Sequence, residues 1–124
     1  MISSVLLRVS VVLLVIGLVA GITMGIKQDF TFAPAHAHLN LVGGVLMFLA
    51  GLYYRLVPEA AAGALAKTQA TLHVVGAIVF PIGIAAVRID PARYEPLVIA
   101  GSLIVLAAIV LFAVIVFRTS MARA

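Results

Sequence analysis

The chain has 124 residues, 65% of them hydrophobic and 10% charged, with a net charge of +4 and no cysteine. A soluble domain is usually about 45–50% apolar and about 25% charged, so this composition leaves too little polar surface for a fold in water and suits a lipid bilayer. The basic residues flank apolar runs and form no patch interleaved with aromatics, which argues against nucleic acid and for lipid headgroups, while the lack of cysteine excludes disulfides, thiolate metal sites and thiol catalysis.

A membrane-crossing helix needs about 20 mostly apolar residues, and four segments meet that length within one domain. The first runs roughly from Val5 to Ile26. Its apolar stretch after Arg8 exceeds the roughly 7–15 residues of a signal-peptide core and has no clear small-residue cleavage site, so it reads as a retained helix. Gly17, Gly21 and Gly25 recur at every fourth position. Such a strip lets another backbone approach closely. It fits packing inside the monomer, a homo-oligomer interface, or a face against a flat cofactor ring. Lys27-Gln28-Asp29 ends the run.

The second segment spans roughly Ala35 to Val57, with Pro34 suited to its first turn and Pro58-Glu59 closing it. It carries His36, His38 and Asn40 at its start, Met47 as core packing, and Tyr53-Tyr54-Arg55 where an interfacial aromatic belt belongs. The third spans roughly Leu65 to Val87, with His73 near its start and Pro81 expected to kink it. Arg88-Ile89-Asp90-Pro91 ends it, and Pro96 opens the fourth, roughly Leu97 to Phe117. Short loops make sequential helices antiparallel neighbours. The expected fold is an all-α integral membrane protein, a four-transmembrane-helix antiparallel bundle.

Arg8, Arg55, Lys67, Arg118 and Arg123 fall on one side of the bilayer, and Lys27, Arg88 and Arg93 on the other. The bias places both termini in the cytoplasm and the His36–His38 end outside, in a bacterial inner membrane. Asp29, Glu59, Asp90 and Glu95 all lie in loops or at helix ends, so no carboxylate relay crosses the bilayer and proton pumping is not supported. No general base, nucleophile or carboxylate pair lies within a span, which ranks an enzyme with its own turnover last.

Ionisable side chains inside a membrane are costly and usually functional. Two residues apart on a helix, His36 and His38 are rotated by about 200° and face opposite ways. They would not share one ion unless residues 34–38 were extended. His73, on the neighbouring antiparallel helix, should differ from His38 in depth by roughly 10–20 Å, too far to face it across one iron. The plain alternative for each is a hydrogen bond to a nearby carbonyl or hydroxyl. Met24, Met47, Tyr53 and Tyr54 complete the candidate ligands.

The stretch AHAHLNLVGGVLMFLAGLYYRLVP, Ala35 to Pro58, resembles the histidine-bearing tenth helix of the haem–copper oxidase large subunit. It is also similar to short membrane proteins labelled oxidase subunit I-like and to nitric oxide reductase relatives, and Thr71-Leu72-His73 looks like a second mark of those short proteins. The resemblance covers about a fifth of the chain. It implies haem b: the position of His36 matches the ligand of a high-spin haem, and that of His38 a low-spin haem ligand on the opposite face. Three histidines in all leave no copper ligand set and no cross-linked His–Tyr pair, so a complete oxygen-reducing site within one subunit is not expected. A second axial ligand would then come from another copy, hence a homo-oligomer with haem at its interfaces.

Three functions follow as expectations. The first is a haem-binding protein using His36 or His38, with His73 as a further candidate and Lys27 or Arg93 pairing with the propionates. Its work would be electron transfer with an unidentified redox partner, gas binding or haem handling. The second is a copper or other metal site built on His36 and His38. The third is a non-catalytic helical subunit of a larger respiratory complex.

Overall fold

The computed structural model describes residues 1–123, except the side chain of Arg123, whose charge was counted above and lies outside the described residues. Helix α1 is Ile2–Lys27. The second span, Ala33–Leu56, is built from α2 (Ala33–His38), a π-helical segment (Leu39–Leu46) and α3 (Met47–Leu56). A 3₁₀ turn, Pro58–Ala61, leads to α4 (Ala64–Ile89), and α5 is Pro91–Arg123. The protein is therefore an all-α four-helix bundle, and all four spans are long and apolar enough to cross a membrane. Its exterior is studded with large apolar side chains, among them Val12, Val19, Ile22, Leu103 and Leu106, which a bilayer accommodates and water does not.

Local chemistry sets the boundaries. Gln28 takes a left-handed conformation, and its N–H and that of Asp29 return to the carbonyls of Gly25 and Met24, closing α1. Asp29 Oδ1 then accepts from the Thr31 amide at 3.0 Å and the Thr31 hydroxyl at 2.6 Å, which tightens the turn into α2. Pro34 sits in the first turn of α2, and Gly63, with φ of 92°, precedes α4.

The fourth helix opens earlier than expected. Asp90 Oδ1 accepts the Arg93 amide at 3.2 Å, so Asp90-Pro91 is the cap-and-proline start. Pro96 lies inside α5. Pro81 likewise interrupts the bonding of α4 without ending it.

α4 and α5 run against each other with their backbones nearly touching. A Cβ on Gly101 would come within 2.7 Å of Phe80 Cα, and one on Gly83 within 3.1 Å of Val98 Cα and N. The buried core, including Leu6, Met47, Ala50, Tyr54, Ala66 and Ile115, lies toward the end that holds the start of α1 and the α3–α4 turn. The other half is less filled, and a cleft opens there.

Candidate functional site

His36 and His38 lie on the last turn of α2, and the helix sends them apart. His36 turns to α1, where Nδ1–H donates to the Gly17 carbonyl at 2.7 Å. His38 turns to α4. Its ring meets Phe80 edge-on, centroids 5.0 Å apart, and its Nδ1–H donates to the Pro34 carbonyl at 2.7 Å. Because a carbonyl only accepts, both rings carry their proton on Nδ1. Nε2 of each has no hydrogen-bond partner among the described residues, and neither is a sealed buried atom. A neutral imidazole held by Nδ1–H on a carbonyl, with a bare Nε2, is the usual form of a histidine ligand to iron or zinc. The pair does not converge on one ion, and among the described residues no three His, Cys, Asp or Glu side chains gather as a metal site.

His36 borders a cleft of about 500 Å³ between α1, α2 and α4. Its walls are apolar, from Ile16, Leu39, Ile78 and Ile82, and Met24 shares it. That volume and lining are those of a small-molecule or cofactor site. Gly21 keeps the ring edge open, because a Cβ there would lie 2.7 Å from Cε1 and 3.1 Å from Nε2 of His36. Gly17 plays the same part for Asn40, whose side-chain amide occupies the space a Cβ would need. Asn40 Nδ2 stands 3.4 Å from His36 Nδ1, which already donates its proton to Gly17, and Asn40 Oδ1 is buried without a partner. Two of the three strip glycines thus pack α1 on the second span within the monomer, Gly21 at α2 and Gly17 at the π segment, while Gly25 has nothing within 4 Å.

The cations divide. Lys27 follows Met24 by one turn of α1, and Arg88 follows the cleft residue Ala85 by one turn of α4, so each stands one turn beyond a lining residue without itself lining the cleft. Arg88 Nε–H donates to the Thr31 carbonyl at 3.3 Å, in the turn just before His36. Arg93 lies over the Tyr94 ring at 5.4 Å and, like Lys27 and Arg88, does not line the cleft, and α5 supplies no lining residue before it. Arg88 was missed in the sequence because it reads there only as a stop signal. Its place one turn beyond the lining residue Ala85 is apparent only once the phase of α4 is known.

His73 is engaged differently. Its Nε2–H donates to the Val42 carbonyl at 3.1 Å, within the π segment, and its Nδ1 accepts from Gln69 Nε2 at 3.3 Å. The same Gln69 nitrogen donates to the Ala108 carbonyl at 3.4 Å, and Gln69 Oε1 accepts the Tyr54 hydroxyl at 2.9 Å. Gln69 is 0%, His73 1% and Tyr54 2% exposed. Both nitrogens of His73 are therefore used, and the network ties α3, α4, α5 and the π segment together. His73 meets the second span at Val42, four residues beyond His38 or about 6 Å along the axis, nearer in depth than expected. Tyr54 is correspondingly a core residue and not part of an interfacial belt, while Tyr53, against Phe112 with centroids 5.5 Å apart, is half-buried.

Comparison of the chain with protein-family models, with curated proteins and with solved structures finds no match, so the site rests on its own geometry: a histidine with an unpartnered Nε2 on the wall of an apolar cleft.

Proposed function

We propose that this chain is a membrane haem-binding protein in which His36, on the wall of the cleft between α1, α2 and α4, would hold the haem iron through Nε2. The observation that carries this reading is the state of His36: Nδ1–H is held by the Gly17 carbonyl, and Nε2 is unpartnered beside a cleft of about 500 Å³. Haem brings an iron that exchanges one electron or binds a diatomic gas. The chain's own residues do the rest. Gly17 fixes the tautomer and the ring orientation. Ile16, Leu39, Ile78 and Ile82 exclude water from the ring. Lys27 and Arg88 provide positive charge where propionates would leave the apolar region. Met24 places a thioether on the same cleft, a second ligand type known for haem iron.

The resemblance of the Ala35–Pro58 stretch to an oxidase helix supports the same assignment, with electron transfer, gas binding or haem handling as the work done. His38, bare at Nε2 on the opposite face, is the position from which a second copy would share a haem. The bacterial inner membrane with cytoplasmic termini remains the orientation that the basic residues favour.

The test is the absorption spectrum of purified protein expressed with ample haem, oxidised and dithionite-reduced. His36→Ala is expected to abolish the Soret band, while His38→Ala and His73→Ala retain it. A colourless wild-type protein, or a Soret band indifferent to His36→Ala, would overturn the proposal.

A further inference from the structure

At the end of the bundle away from His36, two cavities of about 500 and 510 Å³ share Met1, Ile2 and Lys67. One is an apolar groove along the flank between α1 and α4, bordered by Val5, Ala70, Val74 and Val75. The other lies across the bundle end beside Ser3, Arg55 and Pro58. Lys67 and Arg55 are exposed, and no ion pair joins either to an acidic side chain among the described residues. Ser3 is only 8% exposed, yet its hydroxyl has no hydrogen-bond partner among the described residues and is not sealed away, so it opens on this cavity. The Tyr54 hydroxyl, also at the wall, is turned inward to Gln69.

We propose that these joined cavities bind one anionic phospholipid, with its phosphate between Lys67, Arg55 and Ser3 and one acyl chain along the Val5–Val75 groove. The charge balance selects the headgroup. Glu59, in the turn between the lining residues Pro58 and Ala61, is engaged elsewhere and does not itself line the cavity, so the two lining cations and the free hydroxyl suit a phosphodiester, with the guanidinium as a fork and the ammonium as a point charge. The first turn of α1 borders the same cavity and has no side-chain cap, so its backbone N–H groups add to the attraction for an anion. Continuity selects a lipid over free phosphate. Lys67 belongs to both cavities, so a phosphate at its ammonium has its glycerol ester at the mouth of the apolar groove. This reading does not depend on haem and concerns the other end of the molecule.

The experiment is native mass spectrometry of the full chain, delipidated in detergent and titrated with phosphatidylglycerol or phosphatidylcholine. Wild type is expected to retain one phosphatidylglycerol at least about tenfold more tightly than phosphatidylcholine. Lys67→Gln and Arg55→Gln should each reduce that preference roughly fivefold, and Arg93→Gln, at the far end and outside both sites, should leave it unchanged. Val75→Trp fills the exposed groove and keeps both cations, so it should weaken retention of both lipids. Equal binding of the two lipids, a preference untouched by the Lys67 and Arg55 substitutions, a loss matched by Arg93→Gln, or retention indifferent to Val75→Trp would each overturn the proposal. Displacement of the lipid by excess inorganic phosphate would assign the pocket to the free ion and overturn the lipid reading.

Discussion

Replacing Gln69 by leucine, close to it in volume, removes three hydrogen bonds at once: it leaves the Tyr54 hydroxyl and His73 Nδ1 without a partner and takes from the Ala108 carbonyl its second, cross-helix donor. None has water within reach, because Gln69 is 0% exposed and its side-chain neighbours are 1–2% exposed. Side-chain hydrogen bonds between membrane helices average about 0.6 kcal/mol and reach about 1.7 kcal/mol. Three such bonds give an expected loss of about 2 kcal/mol and a ceiling of about 5 kcal/mol. Reversible unfolding in mixed micelles of a mild detergent and dodecyl sulfate measures this directly. Tyr54→Phe should be less costly, since it removes one of the three bonds, and the double variant should show a coupling of about 0.6–1.7 kcal/mol. Ser102, bonded only to its own helix through the Ile99 carbonyl, serves as the uncoupled control. A Gln69→Leu protein as stable as wild type, or a cycle with Tyr54→Phe that closes at zero, would refute the claim that this network holds the spans together.

Gly101→Ala should cost about 1–3 kcal/mol by the same assay, because its Cβ would meet backbone atoms of Phe80 that have no flexible end to move, whereas Gly25→Ala, with open space around it, should stay within about 0.5 kcal/mol of wild type. Gly21→Ala should push the His36 ring off the Gly17 carbonyl and weaken haem retention about tenfold, read as haem transfer to apomyoglobin; unchanged transfer would show that this contact does not orient the ligand. The Asp29 carboxyl is held below the ordinary carboxylate range, first by the Thr31 hydroxyl, then by the Thr31 amide, with a smaller contribution from Lys27. A depressed folded value means that the turn is stabilised above the unfolded pKa and loses that support as pH falls through the folded one. Thr31→Val should therefore move the Asp29 titration upward in a carboxyl-carbon NMR experiment, and an unmoved titration would remove Thr31 as the cause.

The spans were legible because the apolar runs and their stops are chemically sharp. Lys27-Gln28-Asp29 and Pro58-Glu59 end helices where their charge and missing donors require it. The opposite facing of His36 and His38 also followed from helical angle alone, and α2 is an α-helix through both. The start of α5 was less clear, since Asp90-Pro91 and Pro96 are both valid openings and only the Asp90–Arg93 cap decides between them. The role of Gln69 was invisible, because one buried amide is recognisable only when its three partners on other helices are known. Tyr54 misled for a related reason: a tyrosine near a helix end satisfies the same pattern whether its hydroxyl reaches headgroups or a buried amide. Arg88 gave no signal beyond its place at a helix end, since its position one turn past the lining residue Ala85 has meaning only once the rotational phase of α4 is known.

The π segment at Leu39–Leu46 has a consequence for how this gene tolerates change in length. A turn closed by i→i+5 bonds takes up more residues than the α-turns on either side, so His36 before it and Tyr54 after it are phased as on an α-helix about one residue shorter. Removing one residue after Val42, between Gly43 and Leu46, would let the helix relax toward regular α bonding, with His36 still on α1, Val42 still at His73 and Tyr54 still toward Gln69. Removing one residue from α3 or α4 would instead rotate everything beyond it by about 100° and pull the buried network apart. The second span thus carries a slack residue in its middle, and single-residue deletion scanning should find its one tolerant window there.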